Sequence, residues 1–343
     1  MGAPEFSDLI SNQASGSPPW EAVPDGEATA MQSIAQTIET QVRAAAVNAP
    51  ARRDAHPKAH GVVRAEFRIL DNLPDTLRKG LFARPATYPA WIRLSSSNGT
   101  PQNDSVGDGR GMAIKLMGVE ASRSGTQDFI MISYPTFITR NAIDYIDLAK
   151  GNLLAFLLPG WNPFKFRLHE LLAILGIKRQ HATNVLNVRF WSETAYLFGD
   201  IPYKFSCKPV GTPSPFNDNT APNFLRENLV KALNQGDAQF DFCVQLRTNP
   251  DRMPVEDPVV EWLETESPFI PIARITIPKQ VFDTPEQNTF GENLSYTPWH
   301  GLDAHRPLGG INRVRRTVYE TISRLRHTLN HAPRVEPTSS TVP

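Results

Sequence analysis

The chain has 343 residues, 40% of them hydrophobic, so it can bury a substantial core in one large domain or two ordinary ones. Its 35 basic and 35 acidic residues give a formal net charge of zero, which argues against a nucleic-acid-binding protein. The two cysteines, Cys207 and Cys243, are too few for a disulfide framework or a cysteine zinc site and are expected as small buried thiols.

The N-terminal region, residues 1–50, is predicted to be an irregular arm followed by a helix. Residues 1–26 are rich in Pro, Ser and Gly, whereas residues 27–47 are rich in Ala and Gln and contain no helix breaker. Residues 1–6 lack the basic and apolar regions of a secretory signal, and no apolar run approaches the ~20 residues that span a bilayer. We therefore expect a cytoplasmic protein.

Seven segments alternate apolar and polar residues and therefore predict half-buried strands. They are residues 63–69, 90–94, 111–116, 128–132, 203–208, 240–246 and 272–277. Helical segments interrupt these strands without a strict β-α alternation. This order favours an α+β fold built on an antiparallel β-barrel.

The middle of the chain, residues 140–198, is predicted to be helical, with helices over 142–158 and 164–178. Residues 166–175 are strongly apolar, which favours a helix packed on the barrel or on a second subunit. A lipid-facing entrance is the alternative for this segment. Residues 331–343 are rich in Pro, Ser and Thr and are predicted to form a disordered tail.

Arg315, Tyr319 and Arg326 stand at relative positions i, i+4 and i+11, which fall on one stripe of a helix. Cations beside a phenol favour its phenolate form, a hard anionic ligand suited to ferric iron, and Tyr is a known axial ligand of haem. The alternative is a basic amphipathic helix in which Tyr319 is packed and the arginines are solvated.

Four segments resemble, in the same order, motifs of the catalase superfamily. Within that superfamily the resemblance is to the short, haem-binding catalase-like proteins, which lack the C-terminal helical domain of the longer enzymes. It extends over a predicted haem domain of residues 51–330. The segments are RDAHPK at 53–58, GDGRGMAIKL at 107–116, DFIMISYPTFITRN at 128–141 and RRTVYETISRLR at 315–326.

The resemblance implies an eight-stranded antiparallel barrel with surrounding helices, a homo-oligomer, and one haem b between the barrel and the helix that carries Tyr319. Tyr319 would be the axial iron ligand, held as phenolate by Arg315. Arg326 would face the haem propionates or edge. Arg53 and Arg110 match positions that bind propionates, for which the guanidinium fork is suited.

On the other face of the haem, the resemblance implies that His56 is the general acid and base for a peroxide. Ser133 stands where the family places a distal Asn, and Ala55 stands where it places a Val. Both departures weaken the case for efficient dismutation of hydrogen peroxide.

The sequence therefore predicts a peroxidase with weak catalase activity, acting on hydrogen peroxide or organic hydroperoxides with a small organic substrate. Two alternatives stay open. The first is a fatty-acid hydroperoxide dehydratase or isomerase, or a biosynthetic haem oxygenase. The second is a non-catalytic barrel that binds haem or lipid. Membrane association is left open but is not indicated.

Overall fold

The structure, a computed structural model, describes residues 20–339 and residue 341. Most of the predicted N-terminal arm, residues 1–19, lies outside the described residues. The strands are β1 (Ala59–Ile69), β2 (Thr87–Ser96), β3 (Arg110–Met117), β4 (Thr126–Ile132), β5 (Phe190–Trp191), β6 (Tyr196–Phe198), β7 (Ile201–Val210), β8 (Ala238–Leu246) and β9 (Ile270–Ile277).

Eight of these strands form a closed antiparallel barrel, in the order β5-β4-β3-β2-β1-β9-β8-β7. Closure depends on β5, which pairs with β4 through Ile132 and Trp191 and with β7 through two residue pairs. The short strand β6 also pairs with β7. The predicted α+β fold with an eight-stranded antiparallel barrel is confirmed.

Aromatic side chains fill the barrel interior. Phe129 and Phe242 have ring centroids 4.7 Å apart, and Phe205 and Phe67 lie 5.2 and 5.9 Å from Phe129. Alternate residues of a strand point to the same face, so four different strands contribute these rings to one cluster. The interior is a packed core, and a ligand site has to lie outside it.

All seven predicted strands are present, but β5 and β6 were missed, because two or three residues are too short to show a period of two. The strands are also more deeply buried than predicted. In β3, seven of eight residues are buried, because helices and loops cover the outer face of the barrel as well.

The helices are α1 (Glu27–Ala45), α2 (Ala142–Ala149), α3 (Leu153–Leu157), α4 (Leu168–Lys178), α5 (Phe224–Gln235), α6 (Pro285–Asn293) and α7 (Gly310–Leu329). The predicted helix 142–158 is broken at Gly151, whose φ is +76°, and Asn152 caps a new helix beyond it. Pro159 and Pro163 begin tight turns, so α4 starts only at Leu168. No helix within residues 20–339 is long and apolar enough to cross a bilayer.

Helix α7 is held between the barrel and α1. Its apolar stripe, which includes Val314, Val318 and Ile322, packs against Ile34 and Ile38 of α1 in a separate core. At the start of α7, Arg313 forms ion pairs with Glu21, Glu27 and Glu256. These contacts fix the rotation of α7, and its remaining face is turned to the barrel.

The segment after α7 contacts the body of the protein. Arg334 donates to both carboxylate oxygens of Glu320 at 2.8 Å, and the carbonyl of Ser339 accepts from the Trp91 indole at 3.0 Å. The division of the chain into arm, haem domain and disordered tail stays a prediction, although residues 331–339 make these contacts.

Lys115 and Asp128 form an ion pair on the outer face of the barrel with both side chains fully buried. The Lys115 ammonium lies 2.8 and 2.9 Å from the two Asp128 oxygens and 2.7 Å from Glu336. Asp128 also accepts the backbone N–H of Thr297. A charge held in this way depends on its partners, since a buried unpaired charge is costly.

We expect Lys115→Met to lower the free energy of unfolding by about 3–5 kcal/mol, because it leaves the Asp128 carboxylate buried and unpaired. The double variant Lys115→Met/Asp128→Leu should recover most of that loss. Urea unfolding of the three proteins is the measurement. Equal losses in the single and double variants would contradict the account.

Candidate active site

The site lies between the barrel and α7, in two adjoining cavities of about 470 and 110 Å³. Both cavities are lined by His56 from the barrel side and by Tyr319 from α7. Small-molecule and cofactor pockets usually measure about 300–1,000 Å³, so the larger cavity can accept an organic ligand. The structure therefore brings the predicted catalytic histidine and the predicted ligand tyrosine to one space.

His56 lies in a strained turn before β1, with φ +58°, a region that non-glycine residues seldom adopt. Its Nδ1 lies 3.1 Å from the Ser95 hydroxyl, and its carbonyl accepts from Arg93 at 2.8 Å. Gly111 makes room for the ring: a Cβ there would lie 2.5 Å from His56 Nδ1. Two neighbouring strands, β2 and β3, thus fix the position of one imidazole.

Burial lowers the pKa of His56 to about 3, and the cations Arg93, Arg315 and Arg53 contribute in the same direction. The imidazole is therefore neutral near pH 7 and can accept a proton. Because Ser95 occupies Nδ1, Nε2 is the nitrogen available for proton transfer.

On the opposite wall, Arg315 donates to the Tyr319 hydroxyl at 3.3 Å, and its guanidinium lies 5.3 Å from the centre of the ring. Arg315 is itself buried and is held by Asn312 and Thr194. The contact places a fixed positive charge beside the Tyr319 oxygen. The predicted pairing of Arg315 with Tyr319 is observed, and Arg326 lines the same cavity from two turns further along.

An arginine cluster, defined here as Arg53, Arg93 and Arg326, forms one end of the smaller cavity. All three lie within 3.8 Å of the Glu292 carboxylate. Arg53 also donates to the Leu294 carbonyl, and Arg326 to that of Glu292, both at 2.6 Å. Three cations share the Glu292 carboxylate, and burial raises the pKa of Asp54, the carboxyl group that lines this cavity, so positive charge predominates at this end.

The pKa values of Arg93 and Arg326 reflect this excess. Burial lowers the pKa of both guanidinium groups to about 9, and the positive charge of the neighbouring Arg53 acts in the same direction. The Nε atoms of Arg93 and Arg326 are buried without a hydrogen-bond partner. Buried donors of this kind suit a carboxylate ligand. Arg93 was not among the predicted site residues, because an arginine in a strand pattern resembles a solvent-facing residue.

Arg110 and Ser133 do not line either cavity. The Arg110 side chain is buried against Ser96, Asp104 and Asp108. The Ser133 hydroxyl accepts the backbone N–H of Arg110 at 2.8 Å and donates to the Gln180 side chain. The structure therefore does not bring these two residues together with His56 and Tyr319.

The cavity wall near His56 is apolar where β4 forms it. Ile130, Met131 and Ile132 line the larger cavity, so this strand presents no amide or hydroxyl side chain there. A peroxide beside His56 would thus find a proton acceptor but no second polar side chain from β4.

Glu193 is a further cavity residue that the sequence did not reveal. Its φ is +59°, and the neighbouring residues fix the turn, since Thr194 N donates to the Ser192 carbonyl at 2.6 Å. Burial raises its pKa to about 8, opposed by Arg315 and Lys204. A carboxyl group that holds a proton near neutrality therefore faces the cavity from the side of Arg315.

These residues fit a haem b. The arginine cluster has buried, unpartnered donors that would suit two propionates, and Tyr319 has an oxygen atom, beside the Arg315 cation, that would suit ferric iron. Within the described part of the chain, no cluster of three or more His, Cys, Asp or Glu side chains could hold a metal ion. The fit therefore depends on Tyr319 and the arginines.

Comparisons with known proteins found one similar sequence and several structures with a similar fold. A catalase-related peroxidase from Mycolicibacterium paratuberculosis (strain ATCC BAA-968 / K-10) is 25% identical over 272 residues, which cover 74% of this chain and 82% of that protein. No protein-family model matches the chain.

Three solved structures share the fold. A fungal catalase has a TM-score of 0.66 at 16% identity, a bacterial catalase 0.63 at 17%, and catalase A from Saccharomyces cerevisiae 0.64 at 15%. They cover 83%, 88% and 88% of this chain, while the chain spans 61%, 63% and 66% of their lengths.

The raised pKa of Glu193 makes stability depend on pH. The unfolded carboxyl releases its proton near its usual value of 4.5, and the folded one near 8, so folding stability falls as the pH rises between these values. We expect Glu193→Gln to reduce this fall. Relative to the wild type, its free energy of unfolding should therefore increase by about 1–2 kcal/mol from pH 5 to pH 8. Thermal unfolding at both pH values tests it, with exposed Glu120→Gln as the control. A parallel pH dependence in Glu193→Gln and wild type would refute it.

Proposed function

Because the chain has a catalase-like fold, we propose that it is a haem-dependent oxidoreductase that acts on peroxide, as a peroxidase with weak catalase activity. One observation carries the proposal: His56 and Tyr319 line the same cavity from opposite walls, with the arginine cluster at one end. The likeness to a catalase-related peroxidase supports it.

In this proposal Tyr319 would hold the iron of haem b, Arg315 would pair with the phenol oxygen, and the arginine cluster would bind the propionates. A bound haem would supply the redox-active iron at which the O–O bond of a peroxide is cleaved. His56 Nε2 takes the proton from one peroxide oxygen and gives it to the departing oxygen. Ser95 and the Arg93 contact to the His56 carbonyl keep the ring in place for both transfers.

The apolar wall formed by β4 favours peroxidase over catalase activity. Dismutation has to orient a second small, polar hydrogen peroxide, and Ile130, Met131 and Ile132 offer it no hydrogen bond. The same wall suits the carbon chain of an organic hydroperoxide. A small organic donor would then supply the two electrons that reduce the hydroperoxide to an alcohol and water.

A second candidate reaction is favoured by the size of the 470 Å³ cavity and its apolar wall. It is the dehydration or isomerisation of a fatty-acid hydroperoxide, which consumes no external electrons. Turnover of an organic hydroperoxide without an added reductant would favour this reaction, and a strict need for a donor would favour the peroxidase.

The remaining alternative is a non-catalytic barrel that binds haem or lipid. It predicts that His56→Ala leaves peroxide consumption unchanged.

Tyr319→Phe should lose the absorption bands of a phenolate-ligated ferric haem and most of the affinity for haem, because Phe offers no oxygen ligand. The measurement is the absorption spectrum and a haem titration of the purified protein. Tyr145→Phe is the matched control, since Tyr145 also lines the larger cavity and should leave both readouts unchanged. Wild-type bands in Tyr319→Phe would refute the ligand assignment.

Gly111→Ala should displace the His56 ring, because the new Cβ would lie 2.5 Å from Nδ1 and 2.8 Å from the Ser95 hydroxyl. We expect haem binding to persist while peroxide turnover falls about 10²-fold, the usual contribution of a positioned general acid and base. Gly236→Ala, where a Cβ meets nothing within 4 Å, is the control. If both variants turn over peroxide at the wild-type rate, the role of His56 is wrong.

A further inference from the structure

The segment from Ile143 to Leu172 exposes an unusual amount of apolar surface. It holds eight of the eighteen large hydrophobic side chains that are exposed among the described residues. Phe164 is 97% exposed and Trp161 67%, and the others are Ile143, Leu153, Leu154, Phe166, Leu168 and Leu172. Contiguous apolar surface of this kind marks an interaction site on a folded protein.

The exposed segment is held in a defined shape. The Arg167 N–H donates to the Leu157 carbonyl at 3.0 Å, and its guanidinium donates to the Phe156 carbonyl at 2.8 Å and lies over the Phe156 ring. Arg167 also pairs with Asp144. These contacts join α3 to the start of α4 and project the two intervening turns, with Trp161 and Phe164, away from the body.

The fully exposed charges around this surface are all positive. Between residues 143 and 181 the exposed side chains with a fixed charge are Lys150, Lys165, Lys178 and Arg179. The three acidic residues in this range are not fully exposed, and two of them are paired: Asp144 with Arg167, and Glu170 with Arg140. The apolar side chains are therefore bordered by unpaired cations.

Helix α4 connects this surface to the active site. Its Ile174 and Ile177 line the 470 Å³ cavity, while Leu168 and Leu172 on the same helix are more than half exposed. A helix that is apolar on nearly all sides normally lies in a protein core or a membrane. Here one side faces the cavity and the other side has no partner among the described residues.

We propose that the exposed segment docks on an anionic bilayer surface, with Trp161, Phe164 and the leucines entering the interface and the four cations contacting lipid phosphates. Aromatic and aliphatic side chains bordered by Lys and Arg are the composition that binds in the plane of such an interface. Docking would place one wall of the cavity beside the lipid. The proposal does not depend on the proposed function.

A second copy of the chain is the competing occupant, and the charges disfavour it. A two-fold contact sets the same patch against itself, so the four cations of one subunit would lie close to those of the other. An anionic lipid surface instead neutralises each cation, at about 1 kcal/mol per Lys or Arg, or about five-fold in binding.

The test is co-sedimentation of the full-length protein with vesicles of phosphatidylcholine, with and without phosphatidylserine. We expect binding to the mixed vesicles that weakens with salt. Trp161→Ser/Phe164→Ser should lower the partition coefficient about ten-fold or more, and Lys150→Glu/Lys165→Glu should lower it about 25-fold or more. Val281→Ser, another exposed apolar position at 68%, is the control and should bind like wild type.

Two outcomes would overturn the proposal. One is that the wild-type protein does not bind the vesicles, or that all four proteins bind them equally. The other is a wild-type oligomer that Trp161→Ser/Phe164→Ser converts to a monomer without any vesicle binding, which would assign the surface to contacts between copies. The haem absorption spectrum of the same variants reports on the proposed function separately, because none of the substituted residues lines either cavity.

Discussion

Helix α7 buries two unlike faces at the same time, and this constraint determines where the active site can lie. One face is the apolar stripe of Val314, Val318 and Ile322, which packs against α1 and whose edge also lines the cavities. The other carries Tyr319 and Arg326 to the cavity. If α7 turned its apolar face only to the barrel, apolar side chains would fill the space that the cavity occupies. Because α1 supplies a second apolar partner, α7 can present charged and phenolic groups to the barrel without losing its own packing.

The cavity is polar at one end and apolar at the other, and each end is formed by different elements. Arginines from the loop before β1, from β2 and from α7 meet at the end of α6, where they share Glu292 and backbone carbonyls. At the other end β4 and α4 contribute branched aliphatic residues. The larger cavity also has polar lining residues, among them Asn98, Gln102 and Glu193, so what distinguishes the arginine end is its cluster of buried cations.

Strand alternation, a local signal, predicted the antiparallel barrel, and the resemblance of four motifs led to His56 and Tyr319, which line the same cavities in the structure. The sequence could not predict Arg93 or Glu193 as cavity residues. The role of Arg93 depends on its position beside α6, which is distant in sequence. The role of Glu193 depends on a turn whose direction is fixed by contacts with α7. Ser133 was placed by motif alignment, but the pleat of β4 and its bond to Gln180 direct that side chain away from the cavity.

The barrel is closed at β5 by only two residues, although some 57 residues separate β5 from its partner β4. A seam this short has the fewest hydrogen bonds to break in the barrel, so amide hydrogen exchange should be fastest there relative to the other strand pairs. Ile132, at the seam, also lines the cavity. Local opening of the seam would therefore widen the apolar end of the cavity and leave the arginine end intact, which gives a bulky ligand an entry that requires no movement of α7.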